Sequence, residues 1–145
     1  MAEAERSAEA AAEERFVRTY LRRDRQDRLL YELTTPKKRN RGLERFCHRA
    51  ADLLDPGKIR LQGENMTRSP AFQAVMKDRG GSCLLLSPDA SLDGLTLPLR
   101  EALDTAVFWP DTVILVGEGF AVVFGEPEKN GRDRFLLTEQ RFSEG

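Results

Sequence analysis

The sequence predicts an α+β fold: a mixed β-sheet centred on a C-terminal hairpin at about residues 112–124, with helices packed on it. Residues 113–116 and 120–124 are unbroken apolar runs, rich in β-branched and aromatic types, joined by a short turn. Two segments upstream repeat apolar residues at spacings of three and four, as amphipathic helices do. The resulting order, α-α-β-α-β-α-β-β-β, places helices between strands before a meander, which indicates both parallel and antiparallel pairs.

Residues 1–33 are interpreted as a charged helical extension, and residues 34–145 as a single α+β domain. The first dozen residues alternate alanine with charge, and we expect them to be frayed or disordered. Helix-forming residues continue through the extension, but Asp27 falls inside the apolar arc of a straight helical wheel. We therefore expect a helix that docks only at its two ends, 16–21 and 29–33.

The segment 36–54 is predicted to be one continuous helix. Thr34-Thr35-Pro36 is typical of a helix start, because a threonine hydroxyl can accept from unpaired backbone N–H groups and proline suits the first helical position. Asp55-Pro56-Gly57 ends the helix. Its apolar stripe consists of Leu43, Phe46, Cys47, Ala50, Leu53 and Leu54.

The other elements have similar local signals. In chain order they are a marginal strand at 58–61, a helix after Ser69-Pro70, a buried strand at 82–86, a loop at 87–94, a helix from Pro98 to about 108 and a last strand at 135–137. On the helix after Pro98, we expect Arg100 and Asp104 to pair on the outer face. Met66, Met76, Trp109 and the phenylalanines are interpreted as core or core rim.

Two turns leave the strand register open. At Gly117-Glu118-Gly119, a two-residue loop would place Val116 opposite Ala121, whereas a three-residue loop would shift every pair by one. At Asn130-Gly131, a tight hairpin would set like charges opposite each other on two rungs, so we expect a longer, mobile loop there.

Composition excludes few functions. The 145 residues carry 23 basic and 24 acidic side chains, so bulk charge favours neither a nucleic acid nor a membrane as partner. The start lacks the apolar core of a signal peptide and no run is long enough to span a membrane, so we expect a cytoplasmic protein. Cys47 and Cys83 lie in apolar contexts and are expected to be buried, reduced thiols.

One segment is distinctly basic: residues 32–54 carry six basic and three acidic side chains. Four of them fall within about 80° of a helical wheel, opposite the apolar stripe, and predict an outward ridge: Lys38, Arg41, Arg45 and Arg49. The ridge has three interpretations: a solvated surface, a site for nucleic acid or phosphate, and a contact for an acidic protein surface. The candidate binding residues are Lys37, Lys38, Arg39, Arg41, Arg45 and Arg49.

Catalytic chemistry has little support. Asp89 and Asp93 follow a predicted buried strand and are weak candidates for holding a divalent cation, although both lie in sequences typical of turns. His48 is adjacent to Cys47, but neighbouring helical residues point apart. No nucleophile-elbow, phosphate-loop or zinc-protease motif occurs. We expect no cofactor and no metal.

The expected function is therefore that of a small intracellular binding or regulatory protein, which acts by occupying a macromolecular partner without catalysis. A protein is the first choice of partner. The alternative is a nucleic-acid or phosphate-binding protein that uses the basic face at 37–49. A metal-dependent enzyme using Asp89 and Asp93 comes third.

Overall fold

The α+β class is confirmed in the computed structural model, which describes residues 2–77, 79–128 and 131–139. The helices are α1 (Ala2–Tyr20), α2 (Gln26–Thr34), α3 (Pro36–His48), α4 (Ala50–Leu53), α5 (Pro70–Lys77) and α6 (Leu99–Phe108). The strands are β1 (Ile59–Gln62), β2 (Ser82–Leu86), β3 (Thr96–Pro98), β4 (Val113–Val116), β5 (Phe120–Glu128) and β6 (Gly131–Thr138).

All described strands form one sheet in the order β1-β6-β5-β4-β2-β3, and every neighbouring pair is antiparallel. The expected mixture of parallel and antiparallel pairs is therefore wrong. Its cause is β3, in a stretch that gave no strand signal. Because β3 reverses the chain beside β2, α6 returns it as β4 antiparallel to the other side of β2.

The central hairpin, β4 and β5, has the register of a two-residue loop. Val116 lies opposite Ala121, and the Gly117 N–H donates to the carbonyl of Phe120 over 3.0 Å. Gly119 has a φ of +81°, which favours glycine. A Cβ on Gly117 would lie 2.3 Å from a ring carbon of Phe120, so this turn depends on both glycines.

The sheet is covered on both faces, as the apolar runs predict. Along β4, Ile114 and Val116 join a core cluster with α1–α4, which we call the helical face. Val113 and Leu115 join a second cluster with α5 and α6, which we call the groove face. β4 and β5 are therefore interior strands with neither side open to solvent.

The extension docks where we expected. Phe16 and Tyr20 of α1 and Leu29 and Leu33 of α2 are buried in the cluster of the helical face. The α-helix is interrupted between them, where a 3-10 turn spans Arg23–Arg25, and Asp27 stays exposed and accepts from Arg18 over 2.9 Å. Because of this break, the Asp27 carboxylate does not lie on the buried side of a helix. Helix α1 begins at Ala2. The expected fraying of the first dozen residues stays a prediction.

The predicted helix 36–54 is divided at Arg49, whose φ of −122° and ψ of 30° separate α3 from α4. Its predicted threonine cap does not form, and the Thr35 hydroxyl donates backward to the Tyr31 carbonyl over 2.7 Å at the end of α2. The analogous cap at Ser69 does form, since its hydroxyl accepts from the Phe72 N–H over 3.1 Å while it donates to the Met66 carbonyl over 2.7 Å.

The expected long loop near Asn130 is wrong as far as the described residues extend. A register shift after Phe124 places Pro127 opposite Arg132 and Glu128 opposite Gly131, so the anticipated like-charge rungs do not arise. Residues 129 and 130, between the two strands, lie outside the described residues.

Cys47 and Cys83 are buried and belong to opposite faces of the sheet, which precludes a disulfide between them. Burial raises the pKa of the Cys83 thiol to about 11. No helix in the described ranges is long and apolar enough to cross a membrane.

Candidate functional site

The six candidate binding residues of α3 and its C-terminal end fall into two groups in the structure. Lys37, Lys38, Arg41 and Arg49 are exposed, whereas Arg39 and Arg45 are partly buried and engaged within the chain. The wheel placed Arg45 on the outward ridge, but it did not account for α2, which packs alongside α3 and covers that flank. Two of the six candidate residues therefore have internal roles.

Arg39 joins three parts of the chain. Its Nε and Nη2 donate to the two carboxylate oxygens of Asp93 over 2.7 and 3.0 Å, and Nη2 also contacts Glu13 of α1. Its Nη1 donates to the Leu33 carbonyl over 3.2 Å. The hydrogen bonds with Asp93 raise the pKa of the guanidinium above its usual value. Arg39 thus connects α1, α3 and the segment between β2 and β3, and each of its three nitrogens donates within the chain.

Arg45 makes an ion pair with a buried carboxylate. Its Nη1 donates to Glu32 Oε2 over 2.6 Å, and the Glu32 side chain is only 8% exposed. Close packing of α2 on α3 depends on Gly42, because a Cβ there would lie 2.8 Å from the Glu32 Cβ. The two ion-pair partners lie 13 positions apart, and the residues between them contain no local signal for the contact.

Three cations remain outward near the start of α3: Lys37, Lys38 and Arg41. Lys38 Nζ lies 5.2 Å from the centre of the Tyr31 ring, and the first turn of α3 has no acidic residue. Farther along, Arg49 lies 3.7 Å from Asp52. The exposed basic surface is accordingly smaller than the sequence suggested.

Asp89 and Asp93 bind different groups within the chain: Asp89 binds the nearby Ser91, and Asp93 binds Arg39 of α3. Asp89 Oδ1 accepts from the N–H and the hydroxyl of Ser91 over 2.9 and 2.6 Å, and these hydrogen bonds hold the pKa of Asp89 below its usual value. Both oxygens of Asp93 accept from Arg39. Among the described residues, no group of three or more histidine, cysteine or carboxylate side chains is arranged to hold a metal ion.

A cavity lies elsewhere, on the groove face between α5 and α6. It has a volume of about 1100 Å³. Phe72 and Met76 contribute from α5, and Leu99, Leu103 and Val107 from α6. The small residues of α6 face the sheet, which leaves the larger Leu103 and Val107 half-buried beside the cavity. We call this cavity the α5–α6 groove.

Phe108 also lines the groove and is 86% exposed. This contradicts our interpretation of the phenylalanines as core or core rim. Tyr31, on the opposite side of the sheet, is a second exposed aromatic residue at 56%. A signal for Phe108 did exist, since it follows the apolar stripe of α6 immediately before Trp109-Pro110 ends the helix.

Among the described residues of the groove lining, basic side chains predominate: Arg68, Lys77, Arg79 and Arg100, against one acidic residue, Asp104. Arg79 lies over the Phe120 ring at 5.2 Å. The predicted pair of Arg100 with Asp104 does not form in the structure. In the part of the chain that is described, Arg68, Lys77 and Arg100 have no ion-pair partner.

Comparisons of the chain with protein-family models, with curated proteins and with solved structures find no match. Inference about function therefore depends on the geometry of the groove and on the placement of the basic residues.

Proposed function

We propose that the chain is a binding protein that acts, without catalysis, by occupying a protein partner, and that the partner docks in the α5–α6 groove. The observation that carries this proposal is Phe108, an aromatic side chain that is 86% exposed in the lining of the α5–α6 groove. Contiguous exposed apolar surface on a folded protein is typical of an interaction site.

Phe108 keeps most of its apolar side chain in contact with water. Burying a phenylalanine side chain contributes roughly 1.5–3 kcal/mol relative to leaving it exposed. That free energy is not gained at Phe108 within the chain, so it is available to an association. Aromatic and arginine side chains are also the residues that most often dominate interface energetics. The groove brings Phe108 together with Arg100 and Arg79.

The basic face of α3 is a weaker support for function. With Arg39 and Arg45 in internal ion pairs, only Lys37, Lys38, Arg41 and Arg49 remain for nucleic acid or phosphate. Such binding predicts an affinity that falls steeply with salt, because contacts with phosphates release counterions. A metal-dependent reaction at Asp93 would require the cation to displace the Arg39 guanidinium from both carboxylate oxygens.

The test is affinity capture with the full chain from cells that produce it naturally, followed by identification of the captured protein and titration calorimetry with it in purified form. We expect one partner per chain, and a loss of affinity of about tenfold or more in Phe108→Ser. Tyr31→Ser is the matched control, because it removes an exposed aromatic residue from the other side of the sheet.

Both substitutions are at exposed positions and should change the free energy of unfolding by less than about 0.5 kcal/mol. Equal affinity of Phe108→Ser and the unsubstituted chain for the purified partner would contradict the proposal. So would an equal loss in both variants, because it would show that the loss is not specific to the groove.

A further inference from the structure

We infer that the groove accepts an acidic, amphipathic α-helix presented by the partner. This inference rests on the proposed function and adds the shape and charge of the segment that docks. It depends on three properties of the α5–α6 groove: its length, its apolar lining, and the cations around it that have no ion-pair partner among the described residues.

The length of the groove fits a short helix. α5 has 8 residues and α6 has 10, which at 1.5 Å per residue makes them about 12 and about 15 Å long. A helix of two to three turns would match their length. The cavity of about 1100 Å³ exceeds the roughly 300–1000 Å³ usual for small-molecule pockets.

The apolar lining comes from two helices and is graded in depth. Phe72 and Met76 of α5 are buried at 2% and 7% exposure, Leu103 and Val107 are half-buried, and Phe108 projects into solvent. A helix docks in such a groove by inserting apolar residues spaced three and four apart. Met76 adds a side chain that adapts its shape to the residue inserted.

The charges around the groove determine which kind of helix is favoured. Arg68, Lys77 and Arg100 have no ion-pair partner among the described residues, and Asp104 is the only acidic side chain that the described part of the chain contributes to the lining. Glutamate or aspartate on the flanks of a docked helix would pair with these cations, whereas lysine or arginine there would be repelled. The three basic residues are here called the rim cations.

A first experiment determines the preference even while the partner is unidentified. Random peptides of about three helical turns are displayed and selected on the intact chain, after depletion on Phe108→Ser. We expect the enriched peptides to share apolar residues three and four apart with a net negative charge. Enrichment of neutral or basic peptides, or no enrichment over the depleted pool, would overturn the inference.

A second experiment tests the rim cations directly with one enriched peptide. We expect the triple variant Arg68→Glu, Lys77→Glu, Arg100→Glu to bind at least about tenfold more weakly, because three exposed attractions become repulsions. The matched control reverses Lys37, Lys38 and Arg41 on the opposite side of the sheet. This control introduces the same change in net charge and should leave the affinity unchanged.

The results separate the inference from the proposed function. A purified partner that binds through Phe108 but is indifferent to the rim cations would retain the function and contradict the acidic helix. An equal loss of peptide affinity in the two triple variants would show a response to net charge alone, which also contradicts the inference.

Discussion

The two faces of the sheet are covered by helices of different lengths. On the helical face, α1 and α3 have 19 and 13 residues, and together with α2 and α4 they cover the strands. On the groove face, α5 and α6 have only 8 and 10 residues and leave a cavity between them. The helical face is covered by longer helices, with a cavity of about 360 Å³ between α1 and α2, whereas the groove face has an opening of about 1100 Å³ between its two helices.

Charge follows the same division. Arg39 and Arg45 on the helical face are paired with Glu13, Asp93 and Glu32. The basic residues Arg68, Lys77 and Arg100 of the groove have no such partners in the described chain. The segment that is most basic in sequence thus uses part of its charge internally, while cations scattered over residues 68–100 have no ion-pair partner among the described residues. Local charge density is a poor guide to which cations are available for binding.

The largest expected effect tests whether both faces are core. Ile114→Ala opens a cavity on the helical face and Val122→Ala opens one on the groove face, and both side chains are at most 1% exposed. We expect each to lower the free energy of unfolding by about 2–4 kcal/mol, measured by urea denaturation. Glu118→Ala at the turn should change it little. A markedly smaller loss for Val122→Ala would mean that the groove face is loosely packed.

A somewhat smaller effect sharpens the contrast in charge. Arg45→Met leaves the buried Glu32 carboxylate without its main partner, and we expect a loss of about 2–3 kcal/mol in chemical denaturation, below the value for a fully buried pair because Arg45 is 20% exposed. Arg100→Met, on the rim of the groove, is the control and should cost under about 0.5 kcal/mol. Equal losses would erase the proposed distinction between structural and available cations.

The smallest effect is a pH dependence on the groove face. Cys83 keeps its proton in the folded chain up to a pKa of about 11, whereas the ordinary pKa of a thiol is 9.0. Stability from the buried neutral thiol is present below the unfolded pKa and is lost as the pH rises toward the folded one. We expect this loss to be about 1–2 kcal/mol by pH ~10.5.

The measurement compares unfolding curves of the unsubstituted chain and Cys83→Ala across that pH range. The difference in free energy between them should shrink as the pH rises, since only the unsubstituted chain carries this thiol. A difference that is constant with pH would contradict the assignment to Cys83.

Local signals in the sequence predicted most of the elements. The apolar runs at 113–116 and 120–124 became interior strands, and the serine-proline pair at Ser69 became a capped helix start. The break between α1 and α2 was foreshadowed by Asp27, since a carboxylate cannot remain on a buried arc without a partner. These features follow from residues close together in sequence, which is why pattern and propensity suffice for them.

Contacts between distant residues escaped the sequence. β3 gave no period of its own and is a strand because β2 supplies its hydrogen bonds. Arg39 meets Glu13 and Asp93 across 26 and 54 positions, so a wheel of one helix could not show its partners. The candidate site was missed for the same reason, because a groove exists only once two helices are placed side by side.

The order of residues thus settled the α+β class, the interior hairpin and the faces of its helices, because side-chain periodicity and turn chemistry act over a few residues. Packing settled the antiparallel topology, the division of the basic segment into paired and exposed residues, and the opening between α5 and α6. Those properties depend on which surfaces come into contact when the chain folds, and no short stretch of residues specifies them.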